Sequence, residues 1–258
     1  MTRVRIRFTK LGKVRWTSHR DVARMWERAL RRVQAPLAYS QGFSPRPRIS
    51  FGLALPTGHE SLAEYLDVEL ADGEAGAAVL GDLPALTARL SAALPQGVDA
   101  VGAAALLPGA SSLQEEVTSC TWEWTAVDAG GGTLDPAEVA GRCGRLLATT
   151  SLVLTRQRKG RDVTDDVRAA VLELRALGPA PAAPGEGAGV RLQAELACRP
   201  RSLRPSELLQ GIVGGDQRFE ERDARRLHQW ISRDGARWEP LGDPATATHA
   251  PHAAERAS

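Results

Sequence analysis

Lysine is almost missing from this chain. It stands only at positions 10, 13 and 159, so arginine supplies 30 of the 33 basic residues. Beside abundant alanine and glycine, that bias points to a GC-rich coding sequence. Arginine number therefore says little, and arginine placement must carry any argument about binding. Cysteine is scarce as well: Cys120, Cys143 and Cys198 are an odd number at spacings that match no metal motif. No C-x-x-C and no three-cysteine cluster is present to hold an iron–sulfur centre. No cofactor is expected on this chain, and the three thiols are expected to be small buried hydrophobes in a reducing compartment. No run approaches the ~20 apolar residues of a membrane span, and the opening MTRVRIRFTK has no apolar signal core. A soluble, cytoplasmic protein without a membrane partner is expected. The phosphate-loop GxxxxGKS, the zinc-binding HExxH and the GxSxG nucleophile motif are also absent.

What remains is ordinary globular material. The 258 residues are 43% hydrophobic and 25% charged, enough for one large domain or two of roughly 100 residues each. The net charge of +2 hides a strong asymmetry. Residues 1–50 carry thirteen basic side chains against Asp21 and Glu27, whereas residues 51–150 carry three against fourteen carboxylates.

Residues 3–9 alternate, with Val4, Ile6 and Phe8 on one side and Arg3, Arg5 and Arg7 on the other, as in a half-buried strand. Ser18 followed three residues later by Asp21 marks a helix start. Val22, Met25, Trp26, Ala29, Leu30 and Val33 then form one apolar stripe, with Arg20, Arg24, Arg28 and Arg31 opposite. A turn-rich loop follows over 39–47, then alternating strands at 49–53 and 65–70, a helical stretch within 74–93 and a strand at 98–106. The β-α-β-β-α-β order is that of a ferredoxin-like unit. Residues 108–112 read as a linker. A weaker second unit follows, with strand 116–127, helix 136–148, strand 151–157, an ambiguous stretch at 163–176, strand 190–198 and helix 205–213. Residues 178–189 read as a flexible loop, a short helix is expected near 224–231, and disorder from about 242. The expected architecture is α+β: two tandem ferredoxin-like (βαββαβ) domains at 1–108 and 113–214, the second less regular, with an extension over 215–258.

Four stretches together carry a family resemblance: Arg5-Ile6-Arg7-Phe8-Thr9-Lys10-Leu11-Gly12, Ser18-His19-Arg20-Asp21, residues 39–51 (YSQGFSPRPRISF), and Glu64-Tyr65-Leu66-Asp67-Val68-Glu69-Leu70. The chain resembles the radical SAM-linked protein family, whose domain is fused behind a radical S-adenosylmethionine protein or encoded near one. The likeness is specific over 3–70, weaker over 113–213, and does not cover the residues after 214. What it implies is a partner: a radical S-adenosylmethionine protein carrying the iron–sulfur cluster and the S-adenosylmethionine. For members in high-GC Gram-positive bacteria it also implies an encoded neighbour of the ribonuclease E/G type.

Arg3, Arg5 and Arg7 should lie on the helix-free face of the first sheet, beside Tyr65, Asp67 and Glu69 of a neighbouring strand. Cross-strand pairing would neutralise much of that patch. Arg46 and Arg48 have no such obvious partners. The loop holding Tyr39, Gln41, Phe43, Arg46 and Arg48 combines aromatic planes, an amide and guanidinium forks, groups suited to unstacked bases and phosphates. The competing expectation is a rigid loop whose Phe43 plugs the core. Lys10, Lys13, Arg15, His19, Arg20, Arg24 and Arg28 complete the expected RNA- or partner-binding set. Arg156, Arg158, Lys159 and Arg161 form a secondary patch at a hairpin tip. No catalytic residue is assigned. His19 is the single candidate, a base at a helix start that would need Tyr39 or Lys10 beside it.

Three functions fit these residues. The first is an RNA-binding or substrate-presenting subunit serving a separate radical S-adenosylmethionine enzyme in tRNA or rRNA modification. The second is a module that docks that enzyme without RNA. The third is a metal-independent endoribonuclease using His19.

Overall fold

The computed structural model describes residues 2–158, 160–182, 184–214, 216, 218–233 and 235–242. They form an α+β fold of two compact units, Met1–Val117 with Gln229–Ser258, and Thr118–His228. Among the described residues no helix is long and apolar enough to cross a membrane.

The first unit opens with β1 (Thr2–Lys10), a 3-10 turn (Gly12–Trp16) and α1 (His19–Arg32). It continues through β2 (Ile49–Phe51), β3 (Glu60–Leu70), α2 (Glu74–Gly81), α3 (Leu83–Ala93), β4 (Val98–Ala105) and the single turn α4 (Leu113–Glu116). The strands lie in the order β4-β1-β3-β2, each neighbouring pair antiparallel. Alternation in β1 delivers Val4, Ile6 and Phe8 to one face, where Trp26 and Leu30 of α1 and Leu86 and Leu90 of α3 meet them in a closed core. Phe8 and Trp26 pack edge to face with centroids 5.0 Å apart, a geometry favoured by the ring quadrupoles. The start of α1 is fixed as its sequence demands: Ser18 Oγ accepts the Asp21 amide at 3.2 Å and donates to the Asp21 carboxylate at 2.7 Å.

The second unit contains β5 (Ser119–Asp128), α5 (Pro136–Ala148), β6 (Val153–Arg158), β7 (Arg161–Asp166), β8 (Val171–Pro179), β9 (Val190–Ala197), α6 (Pro205–Val213) and most of β10 (Phe219–Arg233). Its strands run β10-β5-β9-β8, while β6 and β7 pair only with each other. The ambiguous stretch at 163–176 is the second arm of that hairpin followed by β8. The helix expected near 224–231 is instead part of β10, whose inward positions include Arg226 and Gln229. Polar residues there hide the alternation that would mark a strand. The stretch expected to be disordered lies, from 243 onward, outside the described residues.

Residues 229–233 of β10 belong to the first unit, as does β11 (Ala236–Trp238). There Gln229 Nε2 donates to the Ala63 carbonyl at 2.6 Å. Glu239, after β11, reaches Arg7, and Ala110 and Glu116, in the segment after β4, reach Arg3 and Arg5, so both segments lie on the sheet face that was expected to stay open. Residues 108–112 are not a free linker to a domain beginning at 113. The Leu106 amide donates to the Arg3 carbonyl at 2.8 Å, the Arg3 guanidinium reaches the Ala110 carbonyl, and Leu113 and Val117 are buried.

Beneath that cover the arginines of β1 are spent on structure. Arg5 is 1% exposed. It grips Asp67 bidentately at 2.8 and 3.1 Å and holds Glu116 at 3.1 Å. Burial works to lower its pKa, but the bonds to Asp67 and Glu116 outweigh burial and hold the guanidinium above its usual value. Arg7 donates to the Leu62 carbonyl at 3.2 Å and meets Glu239 at 2.5 Å. Cross-strand pairing therefore accounts for Arg5, and the covering segments account for Arg3 and Arg7.

Breaking a buried pair leaves an uncompensated charge. Asp67→Asn is expected to cost about 3 kcal/mol, read as a lower urea midpoint with an unchanged slope. Arg48→Ala, which removes one partner of a half-exposed pair with Glu69, is expected to cost less than about 1 kcal/mol. Equal midpoints for Asp67→Asn and the wild type would show that the fold does not depend on the pair.

Candidate nucleic-acid interface

Helix α1 divides its residues cleanly. Val22, Trp26, Ala29 and Leu30 are buried, while Arg20, Arg24, Arg28 and Arg31 are exposed. A rise of 1.5 Å per residue separates Arg20, Arg24 and Arg28 by about 6 Å each. Like charges four apart on a helix cost a few tenths of a kcal/mol per pair. Little offsets that cost here. Asp21 lies 3.5 Å from Arg24, and Arg20, Arg28 and Arg31 have no carboxylate within ion-pair distance among the described residues. The Ser18 hydroxyl, aided by the Ser18 backbone bond and the charges of Arg24 and Arg20, holds the Asp21 carboxyl below its usual pKa.

Beyond the end of α1 the chain turns back, and the Ala38 amide donates to the Glu69 carbonyl at 2.8 Å. The loop that follows is closed at its base. The Ser40 amide donates to the Arg46 carbonyl at 2.8 Å, the Arg46 amide donates to Ser40 Oγ at 3.0 Å, and Tyr39 bridges Pro47. Its tip runs through Gln41, Gly42, Phe43 and Ser44, with Gly42 at φ 127°, a backbone region that favours glycine. Phe43 does not plug the core. Its ring is fully exposed, and Tyr39 is 49% exposed. Gln41 and Arg46 are exposed as well, and Arg46 has no carboxylate partner among the described residues. Arg48 departs from expectation, since its guanidinium pairs with Glu69 at 3.0 Å.

The remaining expected residues lie toward the other end of the sheet. Lys10 faces Ser61 of β3, whereas the Arg48 carbonyl accepts from the Glu69 amide. Eight residues of strand, about 26 Å, separate these levels. Lys10 is 3% exposed, and its Nζ donates to the Arg15 and Thr17 carbonyls at 3.3 and 3.1 Å. Burial, only partly opposed by Glu64, lowers its pKa. Lys10 therefore braces the turn before α1 and is not open to a phosphate. Lys13 is exposed, and Arg15 lies 4.0 Å from Glu60 and over the Trp16 ring. Trp16 is 65% exposed and rests on Gly58, where an added Cβ would meet the ring at 2.9 Å. Nothing in its local sequence marked it as a surface aromatic.

His19 stands at the first position of α1 with its ring edge-on to Phe51, centroids 5.2 Å apart. Lys10, Glu64 and Phe51 line the same cavity, which has room for about 20 Å³ of water, roughly one molecule. Of the partners His19 would need, Lys10 is occupied by carbonyls, and no contact joins Tyr39 to His19 among the described residues. In the second unit Arg156 lies 3.8 Å from Asp165, which Arg201 also contacts at 3.3 Å. Arg161 is exposed, the β6–β7 register pairs it with Arg158, and Lys159 lies outside the described residues. The structure thus brings together Arg20, Arg24, Arg28 and Arg31 on one helix face, and Tyr39, Gln41, Phe43 and Arg46 on one loop.

An exposed ring contributes nothing to the core, so Phe43→Ala is expected to leave stability within about 0.5 kcal/mol of the wild type. Chemical denaturation checks this. A loss near 3 kcal/mol, typical of a buried phenylalanine, would mean that the ring packs against the protein.

Comparison with known proteins places the sequence in a family. Residues 3–205 match the profile of DUF2344, described as an uncharacterised protein conserved in bacteria. No curated protein matches the chain. Among solved structures, a chain from the crystal structure of a Cbf5-Nop10-Gar1 complex is similar at 10% identity with a TM-score of 0.48. The match covers 88% of this chain and 48% of that one, so this chain spans under half of that protein.

Proposed function

The chain belongs to the DUF2344 family, and we propose that it is an RNA-binding subunit that presents its RNA to a separate radical S-adenosylmethionine enzyme in tRNA or rRNA modification. The observation that carries the reading is the exposed face of α1. Arg20, Arg24, Arg28 and Arg31 stand there in a row with Asp21 as the one carboxylate in ion-pair contact among the described residues. Arginines four, four and three residues apart on one helix face suit successive phosphates, and the aromatic loop that follows that helix in the chain suits unstacked bases. The enzyme partner, with its iron–sulfur cluster and S-adenosylmethionine, is what the resemblance of residues 3–70 implies. A ribonuclease E/G-type neighbour has the same standing.

The reading takes each unit as ferredoxin-like. In support, the first has the order β4-β1-β3-β2, and the second has β10-β5-β9-β8 with the β6–β7 hairpin inserted. The RNA contact is then on a helix and a loop of the first unit, since its helix-free sheet face is covered. Docking without RNA is the second reading, favoured by the exposed rings of Trp16 and Phe43.

Fluorescence anisotropy of the full chain with total tRNA and an unstructured RNA, over a salt series, tests the proposal. Wild type should bind with a steep salt dependence. Arg24→Ala with Arg28→Ala should flatten the slope by about 1.4 if two single-strand phosphates are lost. Phe43→Ala should weaken binding by about 1–3 kcal/mol. An absence of binding at low salt would overturn the proposal, and a radical enzyme retained after nuclease treatment would then favour docking.

A further inference from the structure

The second unit holds a pair of thiols that the RNA reading does not use. Cys120 lies in β5, and Cys198 follows the last residue of β9. The register sets Cys120 against Leu196, and the Cys198 amide donates to the Thr118 carbonyl at 2.8 Å. The two cysteines are therefore diagonal neighbours on adjacent strands, with sulfurs 3.6 Å apart. Cys120 is buried and Cys198 half-buried. The third cysteine, Cys143, is buried within α5.

These environments differ in a way that sorts the thiols. Burial pushes Cys143 up to about 11, the behaviour of an inert core thiol. Cys198 is shifted the other way. The hydrogen bond with Cys120 favours its thiolate, burial opposes, and the guanidinium charges of Arg226 and Arg199 add to the lowering, as does Ser202. Arg226 is itself held in place, its guanidinium 4.9 Å from the centroid of Trp122. A half-accessible sulfur beside fixed positive charge, with a second sulfur behind it, has the arrangement of an attacking thiol and its resolving thiol.

We propose that Cys198 and Cys120 form a peroxide-reactive dithiol that closes into a reversible disulfide between β5 and the end of β9. The Cys198 thiolate attacks one oxygen of hydrogen peroxide. The O–O bond breaks, the other oxygen leaves as hydroxide and is protonated to water, and Cys198 becomes a sulfenic acid. The Cys120 sulfur then attacks the Cys198 sulfur and displaces the hydroxyl, which leaves as a second water with the thiol proton. Two thiols are oxidised by two electrons, one peroxide is reduced, and one S–S bond forms. Closure moves the sulfurs from 3.6 Å to about 2.05 Å. A small-molecule dithiol returns both thiols.

The full-length chain is treated with hydrogen peroxide, its free thiols are alkylated, and non-reduced peptides are identified by mass spectrometry. Wild type should yield an intramolecular Cys120–Cys198 peptide with Cys143 alkylated, and dithiothreitol should abolish the linkage. Cys120→Ser should leave Cys198 as a sulfenic acid that dimedone traps, since no resolving thiol remains. On untreated wild type, iodoacetamide should label Cys198 at least about tenfold faster than Cys143, a readout that needs no variant to fold. Three alkylated thiols after peroxide, a linkage found only between chains, or Cys143 reacting as fast as Cys198 would overturn the proposal. None of these outcomes depends on RNA binding, so the two proposals fail separately.

Discussion

A guanidinium with no water around it needs its charge answered on every side. Arg5 occupies such a position, and much of the first unit is arranged to satisfy it. Asp67 comes from the adjacent strand and matches the guanidinium fork; Glu116 comes from the single turn α4 and holds a third nitrogen. Moving a charge out of water costs several kcal/mol before any partner is found, so neither carboxylate is a decoration. The bond to Glu116 also explains why the segment after β4 lies over the sheet. Leaving it to diverge there would strip Arg5 of a partner and expose Leu113 and Val117.

The same arrangement separates two kinds of arginine in a chain that has almost no lysine. Those on β1 are drawn into pairs, and those on α1 face solvent in a row. Both sets come from the N-terminal excess of positive charge, and composition cannot tell them apart. What distinguishes them is whether a carboxylate arrives from elsewhere in the chain. Glu116 lies 111 residues from Arg5, and Glu239 lies 232 residues from Arg7.

Local pattern was enough for the elements whose residues face one environment. Alternation in β1, the Ser18–Asp21 start of α1 and the helix expected at 136–148 all match what the structure contains. That the β1 arginines would meet carboxylates of β3 was legible too, because a two-residue period fixes which side chains share a face, but the register that gives Arg5 to Asp67 was not. β10 was not legible, since Arg226 and Gln229 point inward and Asp223 has a positive φ of 51°. The loop at 39–47 was legible as a shaped loop, but whether Phe43 faced the core or the solvent was not. A turn-rich sequence fixes where a loop bends, and the tip residue then goes wherever the bend aims it. Lys10 failed for a related reason: a cation near other cations reads as surface until its carbonyl partners are known.

The return of residues 229–242 to the first unit bears on how the chain comes off the ribosome. That unit is discontinuous, its two parts divided by all of Thr118–His228. During synthesis β3 must wait for Gln229, and Arg7 for Glu239, while more than a hundred intervening residues emerge. Contacts of such long sequence separation close late and slow folding. Until they close, Arg7 lacks its carboxylate partner and the Ala63 carbonyl lacks its side-chain donor, so the sheet carries an unanswered charge and an unmet acceptor. A fragment ending at Val117 would lack both partners, whereas the chain through residue 242 supplies them itself.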